Sequence, residues 1–157
     1  MSDLVESGDV LSVSEFKRLV FSRMSEATFQ QQVINLARDL GWFVYHTHDS
    51  RRSEPGFPDL VIVGYGRVLF CELKTARGKL STERGLTRSG RQMPSQVDWL
   101  RRLREATPEV YVLRPSDSDL IPDLLSPSET AARWAAMTTL AQQAAMELGL
   151  VPAVEGS

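Results

Sequence analysis

Two acidic residues and one lysine stand where a sheet would bring their side chains together. Asp59 follows a proline and opens an apolar segment, while Glu72 and Lys74 alternate along a second apolar segment. Because residues i and i+2 of a strand point to the same face, Glu72 and Lys74 should project together, with Leu73 turned into the core. A hairpin turn over 64–66 would place Asp59 beside the far end of the second segment. The spacing therefore predicts a cluster of two carboxylates and an ammonium group.

Such a cluster is chemically informative because buried carboxylates are costly without a partner. A hard divalent cation, Mg²⁺ or Mn²⁺, would satisfy both acids with oxygen ligands. Asp59 and Glu72 would then hold an ion that polarises a phosphodiester oxygen and lowers the pKa of a bound water. Lys74 would orient or help deprotonate that water and stabilise the developing negative charge. The simpler alternative is that Glu72 and Lys74 form a salt bridge on an edge strand.

The segments around these residues predict an α/β fold, with a mixed central sheet flanked by helices. We expect strands over 42–46, 59–63, 67–74 and 109–113. We expect helices over 13–23, 25–40, 95–105, 117–125 and 127–148. Residues 75–94 are basic and rich in Gly, Ser and Thr, and they lack an apolar period, which predicts a long, mobile loop.

The last helix is predicted to be an addition to this core. It is rich in alanine and carries one apolar seam at three- and four-residue steps. The seam consists of Trp134, Met137, Ala141, Ala144 and Leu148. It would pack either on its own domain or on a second copy of the chain. We therefore divide the chain into an N-terminal extension over 1–24, a main domain over 25–125 and a C-terminal helical extension over 126–157.

The segment Gly56-Phe57-Pro58-Asp59-Leu60 followed by Glu72-Leu73-Lys74 resembles the core of the PD-(D/E)xK nucleases. More narrowly, it resembles the virus-type replication-repair nuclease (VRR-NUC) domains, particularly the small standalone members of phages and bacteria. The resemblance spans roughly 25–125. It implies a restriction-endonuclease-like fold and metal-dependent hydrolysis of DNA phosphodiesters. It further implies action on branched DNA, and standalone members are similar to homodimeric Holliday-junction resolvases.

The resemblance also assigns roles to individual residues. Asp59 and Glu72 would be metal ligands, Lys74 the catalytic lysine, and Glu26 the acid of the first helix that completes the metal site. Gln96 matches the glutamine of the helix behind the site. Read without the resemblance, Glu26 is an acid favoured by a helix N-terminus, and Gln96 is a surface amide. One departure from the family pattern is an apparent insertion over 84–91, ahead of Gln96.

Charge along the chain is strongly uneven, although the whole sequence carries only −2. Residues 67–104 hold 10 Lys and Arg against 3 Asp and Glu, while the segments on either side are acidic. A basic centre in an acidic frame is typical of a surface that binds a polyanion, or simply of a solvated loop and helix. We expect DNA phosphates to contact His46, Arg51, Arg52, Arg77, Lys79, Arg84, Arg88 and Arg91.

Several classes of protein are excluded or disfavoured. No apolar run reaches the roughly 18 residues of a membrane span, and the acidic N-terminus does not resemble a secretory signal. The single Cys71 excludes an internal disulfide and a cysteine zinc cluster. We expect a cytoplasmic endonuclease of a bacterial or phage-infected cell. The alternatives are a catalytically silent DNA-binding module of the same fold and a restriction-type or RNA-directed nuclease that shares only the core.

Overall fold

The computed structural model describes residues 10–47 and 53–150. In chain order the helices are α1 (Val13–Arg23), α2 (Glu26–Asp39), α3 (Gln96–Ala106), α4 (Ile121–Leu124) and α5 (Ala131–Glu147). The strands are β1 (Phe43–His46), β2 (Leu60–Gly64), β3 (Arg67–Leu73) and β4 (Val110–Leu113). The predicted α/β class with a mixed sheet flanked by helices is confirmed. The helix predicted over 117–125 is instead a 3₁₀ turn over Pro115–Asp117 followed by the short α4.

The four strands form one open sheet in the order β1-β2-β3-β4. The first three are antiparallel neighbours, and β4 is parallel to β3. The predicted hairpin between β2 and β3 is confirmed, because Tyr65 and Gly66 both have positive φ values, of 53° and 72°. Such a two-residue turn matches the twist of the strands and fixes their register. Leu60 consequently pairs with Cys71, so that Asp59 lies beside Glu72.

The hydrophobic core lies mainly between the sheet and the helices α2, α4 and α5. The fully buried β2 and β3 residues Leu60, Ile62, Leu69 and Cys71 belong to the same cluster as residues of these three helices. Trp42 joins this cluster, and its Nε1–H donates to the Leu125 carbonyl at 2.8 Å. The β2 and β3 strands are thus held rigidly at the point where the acidic residues emerge.

A second, smaller cluster lies around α3 and β4. It joins α3 residues Val97 and Leu100, β4 residues Val110 and Val112, and the end of α5. The crossover from β3 to the parallel β4 runs through residues 74–95 and α3. Because α3 is held against β4, its first turn lies close to the end of β3. The fold therefore brings Gln96 to the carboxylates.

The last helix packs on its own chain, one of the two predicted alternatives, and Ala144 and Leu148 of its predicted seam are buried. In α5 the buried face contains Arg133, Ala136, Leu140, Ala144 and Ala145, whereas Trp134 of the predicted seam is 52% exposed. This part of the prediction is wrong because alanine-rich helices offer little apolar contrast between faces. The helix packs on α4 and β4 of its own chain. In α1 no residue is buried.

Candidate active site

The ends of β2 and β3 bring Asp59, Glu72 and Lys74 together as predicted. Lys74 Nζ lies 3.2 Å from Glu72 Oε1. Asp59 Oδ2 accepts a hydrogen bond of 2.8 Å from the Leu73 N–H. Glu72 and Leu73 are both about 1% exposed or less, so the Glu72 carboxylate is buried next to the hydrophobic core. The Glu72–Lys74 contact is also the salt bridge of the simpler alternative, but Asp59 makes it a three-residue cluster.

Gln96, at the first residue of α3, completes the inner contacts. Its Nε2–H donates to Glu72 Oε1 at 2.7 Å, and its Oε1 accepts from the Ser81 N–H at 2.9 Å. The helix starts here because Ser95 and Asp98 form a reciprocal capping box. Gln96 is therefore a partner of the central acid and not a free surface amide. The predicted placement beside the Glu-x-Lys strand is confirmed.

The loop that carries Asp59 is pressed against the start of α3. Gly56 has a φ of +85°, and a Cβ there would lie 2.8 Å from the carbonyl carbon of Ser95. Only glycine allows this approach without displacing the backbone. The Phe57 ring packs edge-on against Trp99, with centroids 5.1 Å apart, and the Trp99 indole N–H donates to the Pro55 carbonyl. These contacts, which the sequence did not reveal, tie the Asp59 loop to α3.

The acids of the site are difficult to ionise together. Burial and, after it, the charge of Asp59 raise the pKa of Glu72 to about 8, against the opposing effect of Lys74. Burial likewise raises the pKa of Asp59, against the Leu73 N–H and Lys74. The pKa of Glu26 is raised by partial loss of solvent and by the charge of Asp59. Glu26 lies at the exposed start of α2. The effect of Asp59 on its pKa indicates that these two carboxylates are close enough for their charges to interact.

The donor set fits a divalent cation. Glu72 Oε2 is buried and has no hydrogen-bond partner, and Asp59 is the second carboxylate beside it. No group of three His, Cys, Asp or Glu side chains placed to hold a metal occurs in the described ranges. That finding is compatible with Mg²⁺, which is commonly bound by one or two protein carboxylates and keeps several waters. A cation at this point would remove the repulsion that raises the pKa of Glu72.

The predicted DNA contacts lie in different environments. His46 ends β1 opposite Leu60, and it is half-buried. Arg51 and Arg52 fall outside the described residues. The remaining exposed cations follow β3 or occupy the insertion; they are Arg77, Lys79, Arg88 and Arg91. Arg84 is also exposed, but its guanidinium makes two hydrogen bonds to Asp98, at 2.7 and 2.8 Å. It is thus engaged by a carboxylate within the chain.

The insertion has a defined shape. Leu86 pairs with Gln92, the Met93 N–H donates to the Gly85 carbonyl, and the Thr87 N–H donates to the Arg91 carbonyl. We call residues 85–93 the basic hairpin. The loop predicted over 75–94 contains no helix or strand, and one isolated β-bridge and its hydrogen bonds hold its centre together.

Taken together, the site can hold a cation on the buried Glu72 and the half-buried Asp59 and place an ammonium group beside it. The Asp59 loop and α3 fix these groups from two directions. In the described part of the chain, no helix has the length and apolarity needed to cross a membrane. Comparisons of the chain with family models, with curated proteins and with solved structures found no match.

Proposed function

We propose that the chain is a divalent-metal-dependent DNA endonuclease with a PD-(D/E)xK core similar to VRR-NUC domains. The observation that carries this proposal is the pairing of Asp59 with the buried Glu72, whose Oε2 atom lacks a hydrogen-bond partner, beside Lys74. A purely structural salt bridge would need only Glu72 and Lys74. The second carboxylate adds repulsion that a cation relieves.

Asp59 and Glu72 would hold the metal, with Glu26 near enough to Asp59 for their charges to interact but outside the set of direct ligands. When bound, Mg²⁺ or Mn²⁺ supplies a Lewis acid for the scissile phosphate and lowers the pKa of a water nucleophile. The donor chemistry agrees with this choice, because carboxylate oxygens suit hard cations.

The remaining roles belong to the chain's own side chains. Lys74 Nζ, held by Glu72 Oε1, orients the attacking water and stabilises the negative charge that develops on the phosphate. Gln96 donates to the same Glu72 oxygen and so fixes the carboxylate in one orientation. This leaves the other oxygen, Oε2, available for the metal.

The expected substrate is DNA, most specifically branched DNA such as a four-way junction. The support comes from the resemblance and from the excess of basic residues over 67–104. Exposed cations in the segment between β3 and α3 suit the phosphate backbone; they are Arg77, Lys79, Arg88 and Arg91. A homodimer would present two active sites to a twofold-symmetric junction.

A catalytically silent DNA-binding module is the second candidate. It is favoured by the double engagement of Glu72 Oε1, which both Lys74 and Gln96 contact. A carboxylate used only to hold the fold together would make the same contacts. Cleavage, rather than binding, therefore separates the two candidates.

The test is a cleavage assay with a four-way junction, a flap and a linear duplex, in Mg²⁺, Mn²⁺ or EDTA. We expect the wild type to cut the junction only with metal, and Lys74→Ala to lose cleavage while still binding DNA. Lys17→Ala, which removes an exposed lysine paired with Asp119, is the matched control and should cut normally. Binding of DNA without cutting in either metal would favour the silent module. Cleavage by Lys74→Ala at the wild-type rate would refute the assigned mechanism.

A further inference from the structure

A polar cleft lies between the basic hairpin and α3, and its lining does not include Asp59 or Glu72. Its volume is about 370 Å³, and its α3 wall consists of Asp98, Arg101, Arg102 and Glu105. These positions follow the i, i+3, i+4, i+7 spacing of a single helix face. At about 100° per residue, this face points roughly away from Gln96, which contacts Glu72. The cleft is therefore a second surface of the same helix.

Arg101 is held in the cleft in an unusual way. Its Nε and Nη2 atoms both donate to the Leu148 carbonyl at the end of α5, at 2.9 and 2.6 Å. The chain can turn away at this point because Gly149 has a φ of +69°. Within residues 10–47 and 53–150, no carboxylate forms an ion pair with Arg101. Its positive charge is thus fixed in position but not neutralised.

The other charges around the cleft leave it basic. Asp98 is neutralised by the two hydrogen bonds from Arg84, which also tie the hairpin to α3. Arg102 is 81% exposed and only 3.6 Å from Glu105, so it can turn toward a ligand. The charged residues that line the cleft are thus three arginines, Arg84, Arg101 and Arg102, against two acids, Asp98 and Glu105.

We propose that this cleft binds the phosphate backbone of DNA, with Arg101 as its fixed anchor. The inference rests on the proposed function, and it adds a contact surface separate from the catalytic carboxylates. The α3 wall of the cleft extends over about 10 Å along the helix axis. This length corresponds to roughly three phosphates of one strand, at about 3.4 Å each along the duplex axis. A guanidinium already positioned by Leu148 through Nε and Nη2 loses little freedom on binding, and its Nη1 side is the part that would contact a phosphate.

The test measures binding of a fluorescent duplex and a fluorescent four-way junction by anisotropy in EDTA, over a range of salt. Removing one phosphate contact should lower the slope of log affinity against log salt by about 0.9. If the variant and the wild type bind equally at 1 M salt, this difference in slope makes the variant bind about eightfold more weakly than the wild type at 0.1 M salt. We expect this loss for Arg101→Ala and a similar one for Arg102→Ala. The matched control is Arg38→Ala, which removes an exposed arginine from the last turn of α2 and should bind like the wild type.

Two variants keep the result interpretable. Arg102→Ala removes only an exposed side chain, so a loss of binding there cannot come from a disturbed fold. If both variants keep wild-type affinity and salt slope, the cleft assignment is overturned. The cleavage assay is read separately: a wild type that binds through Arg101 but cuts nothing would refute the nuclease and leave the cleft intact. If poly-glutamate of matched charge displaces the duplex as well as unlabelled duplex does, the cleft selects no DNA and the inference is also overturned.

Discussion

The stability of the metal-free protein should fall as the pH rises from 5 to 8, because of Glu72. Burial raises its folded pKa to about 8 from an ordinary value of 4.5. Between these values the native state keeps a proton that the unfolded chain has released, so each increase in pH favours unfolding. The contribution of Glu72 is therefore present below pH 4.5 and is lost progressively up to pH 8.

The size of the effect follows from the shift. One pKa unit corresponds to about 1.4 kcal/mol, so the full change is about 5 kcal/mol of unfolding free energy. In a chain of 157 residues, each kcal/mol moves the melting temperature by about 2–4 °C. About 3.5 kcal/mol of this change falls between pH 5 and pH 8, so we expect the metal-free melting temperature to fall by about 7–14 °C across that range.

The assay is thermal unfolding in EDTA and in Mg²⁺, for the wild type and Glu72→Gln. The neutral amide cannot titrate, so its melting temperature should depend much less on pH. Glu54→Gln, which changes an exposed glutamate, should keep the wild-type slope. Mg²⁺ should stabilise the wild type more at pH 8 than at pH 5, because protons compete for the same oxygens. At a hundred times the dissociation constant the gain is about 2.7 kcal/mol.

Two results would contradict this reasoning. If Glu72→Gln kept the full pH slope of the wild type, another group would carry the titration. If Mg²⁺ stabilised Glu72→Gln as strongly as the wild type, Glu72 would not be a metal ligand. Either result can be obtained without any nuclease activity, so the test does not depend on finding the right DNA substrate.

Two further predictions concern residues around the acids. Gln96→Ala removes a hydrogen bond to the Glu72 carboxylate, which is worth about 1.5–3 kcal/mol. The kcat for cleavage should therefore fall by about 10- to 100-fold, while the affinity for DNA is retained. Steady-state kinetics that show an unchanged kcat would exclude the positioning role. Gly56→Ala should destabilise the fold by about 2–4 kcal/mol in urea unfolding, because the new Cβ would clash with the backbone of Ser95. Gly66→Ala is the control, since Gly66 also has a positive φ but faces open space, and it should cost only about 1 kcal/mol. Equal losses in the two variants would mean that the contact of Gly56 with α3 is unimportant.

The elements that position the acids could be predicted because their signals are local. Ser25 caps α2, and Gly41 follows its end with a φ of +89°. The hairpin turn over 64–66 needs positive φ values at its central residues, and glycine in such a short segment predicts the turn. Strand alternation then fixes which side chains project with Glu72. These local rules were sufficient to bring Asp59, Glu72 and Lys74 together.

What the sequence did not reveal depends on partners distant along the chain. Arg84 was grouped with the DNA-binding cations, but it pairs with Asp98, 14 residues away. Arg101 was not assigned a role, and its anchor, the Leu148 carbonyl, lies 47 residues away. A backbone carbonyl has no residue type to recognise, so no pattern could have indicated it. The buried Arg133 in α5 was missed for a related reason, since a charged residue predicts an exposed face.

The helix α3 links the two proposed surfaces mechanically. Gln96, the first residue of α3, contacts Glu72, and about one and a half turns later Arg101 is fixed to the end of α5. Ser81, just before the basic hairpin, also donates to Gln96. Because a helix of 11 residues packed on β4 moves as one body, DNA bound in the cleft would bear on the same element that orients the catalytic acid. The basic hairpin is therefore placed where it can influence the proposed cleavage without touching the scissile phosphate.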